Sequence, residues 1–180
     1  MKKARPGFTI VEMLAVIGVV AVLISIIASV ASNSIRAARS KRAAIMASSL
    51  QQAIAAYYAE EGKWPSLIEN ANTDGMDTIV FKGTQADQIF QDVVGKGFGK
   101  SGKKSMLVDA SGLFVCESSA ANGARARGYN FSEVTGSNAK HRIGLKQMAF
   151  GYQDGGSGRF KRFFVIYNCR TDSVTVGMEM

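Results

Sequence analysis

Between Gly7 and Ala31 the chain runs GFTIVEMLAVIGVVAVLISIIASVA, with Glu12 its one charged residue and a basic stretch, MKKARP, in front. Met13 to Ala31 carries no charge. As a helix rising about 1.5 Å per residue, that stretch comes close to the roughly 30 Å hydrocarbon core of a bilayer. Ile, Val and Leu dominate, and Gly18, Ser25 and Ser29 do not break the run. Length, lack of charge and position make this a membrane segment before it is anything else.

Two simple assignments compete. A secretory signal peptide would end in small residues such as Ala28-Ser29-Val30-Ala31, but its apolar region is usually about 7–15 residues, shorter than this run. A plain signal anchor would place one spanning helix before an exported domain. Neither accounts for Glu12, whose carboxylate inside an apolar segment costs on the order of 2–3 kcal/mol and asks for a partner. Cleavage between Gly7 and Phe8 would supply one. The new α-amino group on Phe8 would lie one helical turn away, at i and i+4, and could neutralise Glu12 within one chain or between adjacent chains.

The leader Lys2-Lys3-Ala4-Arg5-Pro6-Gly7 followed by Phe8-Thr9-Ile10-Val11-Glu12-Met13-Leu14 resembles the type IV prepilin signal, shared by pilins and type II secretion pseudopilins. The resemblance covers roughly the first 30 residues. It implies removal of residues 1–7 by a prepilin peptidase at the cytoplasmic face and N-methylation of Phe8. It further implies that Glu12 meets the Phe8 amine of a neighbouring subunit during assembly on an inner-membrane platform. The protein would then sit in a bacterial inner membrane as a single-pass chain, N-terminus cytoplasmic and head periplasmic, before entering a filament. Ser29 departs from the pattern, because many pilus-forming members carry a proline at the aligned position. The melted helical segment that this proline creates is therefore not carried over.

The 180 residues hold 22 Lys and Arg against 14 Asp and Glu, a net charge of +8. Loss of Lys2, Lys3 and Arg5 with the leader would leave 8 − 3 = +5. Basic leader residues favour a cytoplasmic N-terminus, whereas Arg36, Arg39, Lys41 and Arg42 on the far side oppose that bias. Such a cluster can touch lipid phosphates or DNA, or be a solvated helix face.

Asn33 to Glu61 has no Pro or Gly, and Met46, Leu50, Ala53, Ile54 and Tyr57 form one apolar stripe at helical spacing. One helix from Phe8 to Glu61, about 80 Å long, is expected. Its parts would be a leader at 1–7, a membrane and assembly segment at 8–31 and an amphipathic segment at 32–61. Gly62 would cap the helix, Pro65 would prevent its resumption, and the head would occupy 62–180. Tyr57, Tyr58 and Trp64 are expected to anchor helix to head. A helical turn is expected over Ser66–Ala71, a strand over Thr78–Phe81 and a short helix over Ala86–Val94. Gly95 to Lys104 reads as a basic loop; its Gly99-Lys100-Ser101 triplet lacks the spacing and flanking elements of a phosphate loop.

The C-terminal half reads as antiparallel sheet. Strands are expected over Met106–Val108, Leu113–Cys116, Gln147–Tyr152, Arg159–Cys169 and Ser173–Met178, with turns at Asp109–Gly112 and Gln153–Gly158. The Arg159–Cys169 strand alternates in a way that suits cover on both faces. The expected class is α+β: a long N-terminal helix, its second half packed on a three-stranded meander, which is also what the pilin resemblance implies.

Cys116 and Cys169 are the only cysteines. In an exported domain they suit a disulfide across 52 intervening residues, the alternative being two separate thiols. They and the single His141 lack metal-ligand spacing. Some major pseudopilins bind calcium in the head, which makes Asp154, Asp74 and Asp77 candidate ligands, although Asp/Gly runs are also ordinary turn chemistry. No catalytic constellation is visible, so a cofactor-free, non-enzymatic filament subunit is expected. A minor pilin or bitopic protein whose basic head binds DNA or a secreted substrate is the alternative.

Overall fold

The computed structural model describes residues 9–97, 113–121, 126, 128–135, 142–154 and 159–179. The leader, Gly7 and Phe8, the expected strand over 106–108 and its turn, and His141 lie outside these residues. The chain divides into two compact units, 1–38 and 39–180.

Helix α1 runs from Ile10 to Glu61 without interruption. In the first unit its side chains are exposed throughout the described positions. In the second unit one face goes under: Ala43, Ala47, Leu50, Ala53, Ile54 and Tyr57 are all buried. Their spacing of three and four residues keeps them on one side of a 3.6-residue turn. Gly62 terminates α1 with φ +69° and its N–H donates to Tyr58 O at 2.8 Å, a left-handed cap that a residue without Cβ adopts at low cost. Pro65 then opens α2, Ser66–Glu69.

Strand β1 (Thr78–Phe81) and helix α3 (Thr84–Gly97) follow. The helix extends past the expected end at Val94, so Gly95–Gly97 belong to its last turn and the expected loop begins later, outside the described residues. Next come β2 (Phe114–Glu117), β3 (Tyr129–Asn130), α4 (Phe131–Thr135), β4 (Met148–Gln153), β5 (Phe160–Asn168) and β6 (Ser173–Met178). The expected meander is present as β4–β5–β6, but it is part of a larger, six-stranded antiparallel sheet in the order β1-β5-β4-β2-β3, with β6 also on β5. The second unit is therefore α+β.

Alternation along the strands sorts two faces. Val115, Met148, Phe150, Phe163, Val165, Val174 and Val176 enter one core with Leu50, Ala53 and Ile54 of α1 and Ile89, Phe90 and Val93 of α3. Cys116, Ala149 and Phe160 point the other way and form a small second cluster with Ala121 and Ala126. Burial of each large side chain in the main core contributes about 1.5–3 kcal/mol. Cover on both faces of β5, expected near its centre, is found in its first half, where the adjacent residues Arg162 and Phe163 are both buried, while the central Phe164 is half-buried.

Strand β5 also splits the sheet. Its residues 160–162 pair with β4, while 163–168 pair with β6 and 165–168 with β1. Beyond the Gly151–Arg162 pair, β4 and β5 therefore part company. Gly151 sits at the parting, where a Cβ would run into the Lys161 carbonyl oxygen; a side chain there would push the strands apart.

Candidate functional site

The first candidate is the N-terminal segment, in which α1 opens with a reciprocal set of hydrogen bonds. The Thr9 N–H and hydroxyl both donate to Glu12 Oε2, at 2.8 and 2.9 Å, and the Glu12 N–H donates to Thr9 Oγ1 at 3.3 Å. This is a capping box, which satisfies backbone donors that the first helical turn leaves open. Glu12 thus has a partner within its own chain, in addition to the one expected from a Phe8 amine. The Thr-x-x-Glu spacing of Thr9 and Glu12 is the sequence signal for it. Behind it, α1 is long and apolar enough to cross a membrane. Every large apolar side chain from Ile10 to Val30 is between 45% and 81% exposed.

The second candidate lies in the fork where β4 and β5 separate. In the β4–β2 ladder the Phe150 N–H and Met148 carbonyl point away from β2, toward the edge that β5 has left. Side chains of α3 replace the missing strand: Asp87 Oδ1 accepts from Phe150 N–H at 3.0 Å, and Gln91 Nε2 donates to Met148 O at 2.9 Å. Arg162 closes the fork from β5, donating through one terminal nitrogen to Ser118 O at 2.9 Å. Its Nε lies 3.6 Å from Asp87 Oδ2, an ion pair too long for a hydrogen bond, in which both side chains are at most 5% exposed. Burial pushes the Asp87 carboxyl up to about 6, outweighing the Phe150 N–H and the Arg162 charge, which favour ionisation. An open groove of about 1100 Å³ runs past Asp87, with Ser66, Gln91, Asp92 and Lys146 among its other walls. Ser66 Oγ donates to Asp92 Oδ2 at 2.9 Å there. Sequence patterning singled out neither Asp87 nor Arg162, since no local period tells which polar side chain a sheet will fork around.

The aromatic residues at the end of α1 form an anchor, as expected. Trp64 stacks on Tyr58 with ring centroids 4.3 Å apart and meets Tyr167 edge-on at 5.9 Å. The Trp64 Nε1–H and the Tyr167 hydroxyl both donate to Asp172 Oδ1, at 2.7 and 2.8 Å. Burial, helped by that bond to a carboxylate, pushes the Tyr167 hydroxyl up to about 12. Asp172, with φ +47° in the β5–β6 turn, thereby ties the C-terminal end of α1 to the sheet.

The expected disulfide is not formed: both thiols are free. Cys116 is buried in the small cluster on the second face, and burial raises its thiol pKa, which keeps it protonated. Cys169 follows the far end of β5, seven residues beyond Arg162, where β4 last pairs. The Cys169 N–H donates to Asp77 O at 2.9 Å, next to β1, whereas Cys116 pairs with Ala149 in the β2–β4 ladder, so the two thiols belong to different parts of the sheet. The calcium candidates do not converge either. Asp77 accepts from Arg170 Nε at 2.6 Å, Asp154 lies 4.0 Å from Lys161 Nζ, and Asp74 sits in a turn where its N–H donates to Asn72 Oδ1 at 3.0 Å. Among the described residues no three His, Cys, Asp or Glu side chains come together.

No family model matches the chain, and neither the curated proteins nor the solved structures give a match.

Proposed function

We propose that this chain is a structural subunit of a type IV pilus-like or type II secretion pseudopilus filament, anchored in the membrane by its N-terminal helix until assembly. The observation that carries the proposal is the run of apolar side chains from Ile10 to Val30, none less than 45% exposed, behind a basic leader and a Gly-Phe junction. A monomer leaves so large an apolar surface to lipid or to other subunits. In the inner membrane, lipid covers it. In a filament, the same segments of neighbouring chains replace lipid as a common core, with the heads outward.

The Gly7–Phe8 junction is the proposed cleavage point, Phe8 the methylated new terminus and Glu12 the residue that sets axial register against a neighbour's Phe8 amine. The head, α+β with the C-terminal end of its helix locked through Trp64 and Asp172, suits a rigid exterior module.

The mass of the N-terminus, taken from host membranes, tests the proposal. A chain beginning at methylated Phe8 is expected. A start near Ser32 would make the protein a secreted soluble domain, and an intact Met1 would leave a plain signal anchor. Glu12→Ala is expected to insert and be cleaved as usual while yielding few filaments; a normal filament yield would exclude the register role.

A further inference from the structure

Just past the apolar segment, α1 carries Arg36, Arg39, Lys41 and Arg42, all exposed. No Asp or Glu occurs anywhere between Met13 and Ala59, so no acidic side chain of the same helix lies within the three or four residues that would let it pair with them. Four cations on the translocated side also work against the orientation that the leader favours. An arrangement that opposes insertion and has no acidic neighbour along its own helix points to an external partner.

Position narrows its chemistry. Arg36 is five residues beyond Ala31, about 7.5 Å along a helix, and the other three follow within the next two turns of α1. The headgroup layer on each side of a bilayer is roughly 5–7 Å thick, so a segment ending near Ala31 brings Arg36 to phosphate level. Three of the four are arginines, whose planar guanidinium fits phosphate oxygens two at a time. Arg36, Arg39 and Arg42 recur at every third position and so follow one another around one side of the helix.

We infer that these four residues form a basic collar that binds the anionic phospholipid headgroups of the leaflet from which the head emerges. This rests on the anchored reading above and adds to it a lipid preference. The collar holds the waiting subunit at a fixed depth, and its lipid contacts have to be given up when the helix leaves the bilayer.

The test uses the full chain in phosphatidylcholine vesicles carrying spin-labelled phosphatidylglycerol or phosphatidylcholine, with the motionally restricted lipid measured by electron spin resonance. The wild type is expected to favour phosphatidylglycerol by roughly five-fold or more at low salt, and less at 0.5 M salt. The variant R36Q/R39Q/K41Q/R42Q is expected to lose most of that preference, while K2Q/K3Q/R5Q, altered only in the leader, retains the larger part. Equal selectivity in wild type and the four-residue variant overturns the collar and leaves the anchor standing. A wild-type chain that does not float with the vesicles overturns the anchor and the collar with it.

Discussion

Helix α1 meets two different fates along its length. From Ile10 to Val30 each large apolar side chain is exposed. From Ala43 to Tyr57 an apolar stripe is buried to between 0% and 8% against the protein's own sheet and α3. The two regions share a secondary structure and differ in composition and pattern, the first rich in Val and Ile, the second in Ala with Ser and Gln. The first is apolar on every side, so no single sheet could cover it; the second is apolar on one side only, which is what one sheet face can cover. The first presents apolar side chains on every side, and the second buries its one apolar side within the head.

The strongest test of that contrast compares two leucines. Leu50→Ala empties a fully buried position and is expected to cost about 2–5 kcal/mol of head stability. Leu23→Ala removes the same atoms from a side chain 53% exposed and is expected to stay within about 0.5 kcal/mol. Urea unfolding of the detergent-solubilised chain, followed through the fluorescence of Trp64, its only tryptophan, reads both. Equal effects would mean that the first region is also part of the folded head.

A second test asks how complete the head is. Asp87 stands in for a strand at the fork, and its carboxyl is held at about 6 against 3.8 in an unfolded chain. The folded state therefore binds that proton more tightly. The contribution is fully present below about pH 3.8 and is lost as pH rises through about 6. The difference corresponds to about 3 kcal/mol. Asp87→Asn keeps an acceptor for the Phe150 N–H and cannot ionise. Between pH 4 and pH 8 the wild type is expected to lose about that much stability relative to this variant. Parallel urea midpoints over the range would show that Arg162 keeps Asp87 ionised throughout.

Much of this was readable in advance, and the reasons are local. Gly62 and Pro65 fix the end of α1, and β1 and β6 span the residues expected of them, because turn chemistry and strand alternation act over a few neighbours. The fork was not readable, since it depends on β5 leaving β4 at Arg162 to pair with β1, a choice made between residues 84 to 90 positions apart. The disulfide expectation failed for the same reason. Two cysteines in one sequence say nothing of the strand positions that separate them. Thr9 is a different case, because its capping signal lay in plain view beside a more specific motif.

The smallest expected effect concerns that cap, and it separates two roles of Glu12. Thr9→Ala removes the hydroxyl from the capping box and is expected to weaken the first turn of α1 by about 1 kcal/mol, with Thr9→Ser close to wild type. Faster amide exchange at Glu12 and Met13 is the direct readout, since the Glu12 N–H bonds the Thr9 hydroxyl and the Met13 N–H the Thr9 carbonyl. Thr9→Ala leaves the Glu12 charge in place. If that charge acts between chains, Thr9→Ala retains filament yield while Glu12→Ala loses it. If the two variants lose filaments to the same degree, the carboxylate serves the start of its own helix, and register along a filament has to come from the packing of the apolar segments.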